Sequence, residues 1–447
     1  MTKDLTRGTP WKLIVQFALP IMAGNLLQQL YNTADTIIVG NFNGQQALSA
    51  VGACASLTVL FTALAIGFSI GAGVLISQYF GASREQELRQ YAATAIVLML
   101  AMGLLMSLIG VCSARFLLAR ALGTPEALLP LTLLYFRIYA AGLVFQFGYN
   151  IAAALLRALG DSKATLYFLL VSSVSNVLLD LAFVAGLGMG VAGAAIATVL
   201  SQIASCGIGF AYMHRRYALL RFSLRELRMD LKTAGRILQV GAPMAIQQSI
   251  VSCGFLFLQR LVNYYGESMI ASYTVASRME NILMIPIIGI QNTMATFAGQ
   301  NMGARQPERI RKIIRTGLGM HLGFSALFSL TLFLTRYLTV RCFTDDPAVI
   351  AEGVTIICML AFFYPVFCCV EVFSSAMRGC GNSVMPTVLT LFGTCLLRLA
   401  LLYTVTFPHL NNWTIAICYP ATWGTTSLLF LIYYRFFRWM PGQKPQT

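Results

Sequence analysis

The chain has 447 residues, of which 57% are hydrophobic and 11% charged, with a net charge of +15 and a mean hydropathy of +0.73. So apolar a composition excludes a soluble globular domain and predicts an integral membrane protein. The basic residues fall in short segments between apolar runs, as cytoplasmic loops do, rather than on a nucleic-acid surface. Eleven cysteines, odd in number and without metal-ligand spacing, exclude a disulfide framework.

In chain order, Lys3, Arg7 and Lys12 precede a first apolar run that is too long for a signal-peptide core and lacks a small-residue cleavage site. It is expected to stay as the first helix. About twelve membrane-spanning helices are predicted, near 13–39, 47–79, 92–114, 130–155, 164–185, 191–212, 236–262, 269–298, 314–335, 350–376, 386–406 and 414–435. Most basic residues, including the run Arg215 to Arg236 and the cluster Arg305 to Arg315, lie in loops on one side. The opposite loops, such as 41–46 and 186–190, carry almost none, which predicts that both termini are cytoplasmic.

The two halves repeat. At a shift of 222, Gly44, Gln78, Gly81-Ala82 and Arg89 meet Gly266, Gln300, Gly303-Ala304 and Arg311. At 221, Arg157, Gly160 and Ser162 meet Arg378, Gly381 and Ser383, and Pro20 meets Pro243 at 223. A nearly constant shift of half the chain predicts an all-α membrane protein of two parallel six-helix lobes, 1–222 and 223–447, around a central cleft.

Three motifs are false leads. Gly67-Phe68-Ser69-Ile70-Gly71 fits a nucleophile elbow but lies inside a predicted membrane helix, not at a strand-turn-helix corner. Gly188-Met189-Gly190-Val191-Ala192-Gly193 fits a dinucleotide fingerprint, yet no acid lies about 20 residues on, and a tight outer turn explains it better. Asn412-Trp413-Thr414 is a glycosylation sequon by pattern only.

The ionisable residues inside predicted spans carry more information: Asp35, Arg137, Asp180, Arg260, Arg278, Glu280, Glu371 and Arg398. Arg398 is a candidate to neutralise Glu371. In the fifth span Asn176 and Asp180 stand four residues apart on one helix face, and Thr198 and Gln202 repeat that spacing in the sixth. The repeat puts Phe257 near Asp35's counterpart and Leu401 at Asp180's. An acid cluster present in one half only points to a site rather than to packing. A carboxylate exposed alternately to either side of a membrane loads and releases a proton, and the same oxygens suit a hard cation.

The chain resembles the multidrug and toxic compound extrusion (MATE) family. The resemblance rests on Leu19-Pro20 with Tyr31-Asn32-x-x-Asp35 and Val39-Gly40, Gln78-Tyr79-Phe80-Gly81-Ala82, Leu156-Arg157-Ala158-Leu159-Gly160-Asp161, Asn176-x-x-x-Asp180, Gly193-Ala194-Ala195-Ile196-Ala197-Thr198 and Gly299-Gln300-Asn301-Met302-Gly303-Ala304. It covers nearly the whole chain. It implies a twelve-helix antiporter, not an enzyme, that exports cationic or amphipathic compounds in exchange for H+ or Na+ and uses no cofactor. It also implies a cation site formed by Asp35, Asn176, Asp180 and Thr198, which would be the metal ligands if Na+ is the ion. Gln28, Tyr31, Glu280 and Glu371 are the residues expected to contact substrate.

The chain is expected to act as a monomer in the cell membrane, without nucleic acid. No P-loop is present, so ATP drive is not expected. One alternative is a flippase of the same superfamily for a lipid-linked saccharide, with Arg137, Arg260, Arg278 and Arg398 in its cleft. Another is an intramembrane hydrolase built on Ser69.

Overall fold

The computed structural model describes residues 4–223, 225–264, 267–406 and 412–440. The side chains of Phe257, Arg260 and the sequon Asn412-Trp413-Thr414 lie outside the described residues. The first helical element, Pro10–Gly81, is two helices folded at Gly44, whose φ of 75° no other residue type adopts without strain. We label them α1 (10–43) and α2 (45–81). Then come α3 (Glu85–Arg115 with the π-helical turn Phe116–Ala121), α4 (Leu129–Ala141 and Leu143–Ala158), α5 (Ser162–Asp180 with the π-helical turn Leu181–Gly186) and α6 (Gly190–Arg216). The second half holds α7 (Leu231–Tyr264), α8 (Glu267–Gly303), α9 (Pro307–Leu334), α10 (Pro347–Gly379), α11 (384–406) and α12 (Asn412–Phe436). Within α11, the π-helical Leu391–Leu396 and Leu402–Thr406 flank a single α-turn, Leu397–Leu401.

By length and hydropathy alone, eight helical elements among the described residues are able to cross a membrane, the folded Pro10–Gly81 being one of them. The two parts of α4, bent by 44° at Gly142, make a ninth. The bend has a packing cause: a Cβ at Gly142 would stand 2.6 Å from Val199 of α6, so the helices touch where a side chain would separate them.

The chain divides into two compact units. One comprises Met1–Asp4 and Leu19–Ile246, the other Leu5–Ala18 and Gln247–Thr447. In the first unit α4 packs on α3 and α6, and α6 on α5. Its core runs from Ala65, Ile76 and Leu88 through Phe147, Ile151 and Phe168. The start of α7 also belongs to this unit. A Cβ at Gly67 would lie 2.3 Å from the Cα of Ala245, and one at Gly71 2.3 Å from the Cα of Gly241. The two glycines therefore exist for backbone-to-backbone packing of α2 on α7, the small-residue device of membrane helices. Ser69 between them is buried. The helix interior thus replaces the corner that a nucleophile elbow needs. Gly188 and Gly190, with φ of 63° and 61°, form the turn expected between α5 and α6.

In the second unit α10 is central, packed on α8, α9 and α12, with Tyr273, Tyr364, Tyr419 and Trp423 in the core. The N-terminal segment is anchored here. Leu5 N donates to Gln300 Oε1 at 3.0 Å, Asn301 Nδ2 to Leu5 O at 3.3 Å, and Phe17 meets Phe297 edge-on.

Candidate functional site: a carboxyl pair in the first unit

α1 delivers Asp35 and α5 delivers Asp180 to one place. Their carboxyl groups lie within hydrogen-bonding reach of each other. Asp180 is 0% exposed, and Asn176, one turn earlier on α5, is 2% exposed. Among the described residues no other hydrogen-bond partner reaches Asp35 Oδ1, either Asp180 oxygen or either polar atom of the Asn176 amide. Gln202 Oε1 on α6 is orphaned in the same way. Thr198 is half-buried and spends its hydroxyl proton on Ala194 O of its own helix at 3.0 Å, leaving its lone pairs as acceptors.

The polar stripe extends beyond the expected residues. Thr165 and Ser173, on α5 with Asn176 and Asp180, carry buried hydroxyls with no partner among the described residues, and the Asn25 amide nitrogen on α1 is in the same position. Tyr31 hydrogen-bonds with Gln28, and Tyr31 and Tyr135 are electrostatic neighbours of Asp35. Tyr135 and Tyr139 stack with centroids 6.5 Å apart; Tyr139 donates to Gln146 Oε1 at 3.1 Å, and Gln146 Nε2 to Thr62 at 2.7 Å. None of Thr62, Tyr135, Tyr139 and Gln146 was singled out by the sequence reading. Their signal was the i, i+4 pair Tyr135/Tyr139 within an apolar run.

The chemistry follows from this donor set. Two adjacent carboxylates repel strongly in a low-dielectric interior, so the pair requires a proton or a cation to be stable. Among the described residues no group of three or more His, Cys, Asp or Glu side chains forms a metal site. Carboxyl, amide and hydroxyl oxygens are a donor set that suits H+, or Na+ as a hard cation.

The second unit separates the other candidates. Glu371 accepts a hydrogen bond from Gln291 and has Arg378 as its cationic neighbour. Glu280 has Arg398. Arg398 is thus the electrostatic neighbour of Glu280 rather than of Glu371, and it reaches α12, where its Nη2 donates to Thr422 Oγ1 at 3.3 Å. Arg137 and Arg278 are exposed.

Comparison with known proteins decides the family. The MatE family model matches residues 20–182 and again 243–404, reproducing the repeat. The chain belongs to the MATE family. Two similar relatives are the probable multidrug resistance proteins YpnP and YoeA of Bacillus subtilis (strain 168), 29% and 26% identical over 444 residues, covering 98% of this chain and 97% and 96% of theirs. The outward-facing structure of a multidrug resistance MATE family transporter of the MOP superfamily superposes with a TM-score of 0.89 at 25% identity, over 97% of both chains. This MATE protein is therefore an all-α, multi-pass membrane protein of two six-helix lobes. It is a secondary transporter of that family, and such transporters draw on H+ or Na+ gradients.

Proposed function

We propose that this MATE protein exports cationic or amphipathic compounds from the cytoplasm across the cell membrane as a monomer with both termini cytoplasmic. Each export event is coupled to H+ or Na+ moving inward through Asp35, Asn176, Asp180 and Thr198. The observation that carries the proposal is the Asp35–Asp180 pair, Asp180 buried and Asp35 half-buried, with no cationic partner among the described residues. A site built for stability alone would hold an arginine or lysine there. One left open is able to exchange its charge carrier, and exchange is what coupling requires. Gln28, Tyr31, Glu280 and Glu371 are assigned to substrate contact. One charge moving through roughly 150 mV supplies about 3.5 kcal/mol, enough for a concentration ratio of a few hundredfold.

The test is export of a cationic dye from proteoliposomes under separately imposed proton and sodium gradients. One of the two gradients is expected to drive export in the wild type, and Asp35→Asn or Asp180→Asn to abolish it. Export by both variants at the wild-type rate would remove the pair from the mechanism.

A further inference from the structure

The carboxyl pair stands at one end of a longer polar stripe. Along α5 and its cap, Asp161, Thr165, Ser173, Asn176 and Asp180 recur at helical spacing, and from Thr165 to Asp180 they fall within an arc of about 80°. Thr165 and Ser173 are 4% and 6% exposed, and among the described residues no partner reaches either hydroxyl. The hydroxyls of Thr132, Thr198, Ser201 and Thr293 fold back on a carbonyl of the preceding turn at 2.7 to 3.0 Å. Those of Thr165 and Ser173 do not, so two buried donors are left to a partner outside the protein.

α6 continues the stripe. Tyr212 meets Asp161, and Ser205 Oγ donates to Phe168 O at 3.5 Å, which fixes the antiparallel register of α5 and α6. That register brings Gln202, whose Oε1 is orphaned, within a turn of Ser173, and Thr198 within a turn of Asn176. The stripe ends on the half-buried carboxylate of Asp161, about 28 Å of helix from Asp180. There Asp161 Oδ1 accepts from Ala164 N at 3.0 Å, and Oδ2 accepts from the hydroxyls of Tyr212 and Tyr217 at 3.0 and 2.5 Å.

The second unit lacks this stripe at the matching positions. At the shift of 221, Thr165, Asn176, Asp180 and Gln202 meet Pro386, Leu397, Leu401 and Trp423. Asp161 meets Asn382, which keeps both structural duties without the charge. Asn382 Oδ1 accepts from Met385 N at 3.4 Å, and Asn382 Nδ2 donates to the hydroxyl of Tyr433, the counterpart of Tyr212, at 3.2 Å. Capping and helix pairing therefore do not require an acid at 161, nor hydroxyls and amides along α5.

We propose that this stripe is a proton route through the interior of the first unit, joining the Asp35–Asp180 pair to the end of α5 that the proposed orientation puts in the cytoplasm. Water completes the buried hydroxyls and amides, as it does for such groups in native proteins. A proton leaving the pair is handed along, each hydroxyl or water accepting one proton and giving up another, and Asp161 passes it to the cytoplasm. Leu169, the apolar interruption between Thr165 and Ser173, is the barrier. The Cβ position of Gly24 on α1 lies 2.7 Å from its Cδ1, so α1 and α5 close on each other at that level. Single hydroxyls offer too few oxygens at any one level to replace the water of a hard cation, so the route serves H+. The inference rests on the coupling reading and adds where the ion leaves.

The test follows proton influx with an entrapped pH dye in proteoliposomes, alongside export and binding of a cationic dye. Ser173→Val and Asp161→Asn are expected to slow proton influx and export by about tenfold or more, with dye binding and thermal midpoint unchanged. Asp161→Asn recreates the arrangement at Asn382, so its fold is expected to hold even if that of Ser173→Val does not. Thr394→Val, the same change at the counterpart of Ser173, should leave influx at the wild-type rate. Leu169→Ala should admit protons without dye.

Wild-type influx in both Ser173→Val and Asp161→Asn would overturn the route, as would equal slowing by Thr394→Val, a tight Leu169→Ala, or export driven by sodium alone. Failure of either gradient to drive export in the wild type would count against the antiporter reading instead.

Discussion

Single residues carry two kinds of burden in this molecule, charge and closeness. Asp35 and Asp180 meet with no counter-ion among the described residues, and Gly67 and Gly71 carry closeness. With the Gly71 Cβ position 2.3 Å from the Gly241 Cα, even Gly71→Ala forces α2 and α7 apart. Overpacking of this kind costs about 1–3 kcal/mol and sometimes more. Gly71→Leu is accordingly expected to lower the thermal midpoint by several degrees and the yield of folded protein, read by fluorescence-detected size exclusion after heating. Ser69→Ala between the two glycines should leave export within about twofold of wild type, because the hydroxyl has no hydrogen-bond partner to lose. Loss of transport in Ser69→Ala with an unchanged thermal midpoint would revive a chemical role for that serine.

At the scale of elements, the linker between the halves is clamped rather than loose. Arg89 at the start of α3 donates to the carbonyls of Ala218 and Arg221 at 3.0 and 3.1 Å and pairs with Glu226 at 2.8 Å. Asp230 caps α7 by accepting from Thr233 N at 2.9 Å, and Gln90 reaches the same oxygen at 3.2 Å. The Thr233 hydroxyl and amide beside Asp230 hold its carboxyl below the ordinary carboxylate range. A depressed folded-state value contributes stability that is present above the unfolded value, about 3.9, and is lost as pH falls through the folded one. Asp230→Asn should thus lower amide protection across 218–233 at pH 7. The gap between variant and wild type should narrow as pH falls below the ordinary aspartate value, about 3.9, as measured by hydrogen exchange corrected for intrinsic rates. An equal gap at both pH values would assign the effect to lost geometry rather than to charge.

The elements also show what the sequence could disclose. Apolar run length and loop charge made the spans legible, because both are local consequences of crossing a bilayer. The Gly188–Gly190 turn was legible because few residues tolerate its backbone, whereas the fold at Gly44 was foreshadowed only by the loop 41–46 between two apolar runs. The Asp35–Asp180 pair was reachable because the acids stood out in an apolar background and Asn176 marked the face. Tyr135, Tyr139 and Gln146 were not, since an aromatic or amide in a span has many uses. The partners of Glu280 and Glu371 were beyond reach for a different reason. Hydropathy identifies helices but says nothing of which helices adjoin, and Arg398 could be assigned only once α8, α11 and α12 were seen to share a core.

On the scale of the whole molecule, the two halves are one sequence pattern given two electrostatic characters. The first unit holds acids that need a mobile charge, and the second holds an acid opposite a fixed arginine. Under the proposed function, ion coupling belongs to the first unit and the second is free to grip cargo. That division predicts that neutralising Glu280 alters which compounds are exported without changing which ion drives export. Measured in proteoliposomes, Glu280→Gln should keep the wild-type ion preference while its apparent affinity for a cationic dye falls. A switch of driving ion would contradict the division.

The central claim is that the Asp35–Asp180 pair exchanges the ion that drives transport. Its most direct test counts ion movement and dye export in the same vesicles, for the wild type, Asp35→Asn and Asp180→Asn, with dye binding measured in parallel. Ion influx should accompany export in the wild type. In both variants that influx and export should vanish, while dye binding stays within a few-fold of wild type. Ion influx and export that persist unchanged in either variant would contradict it.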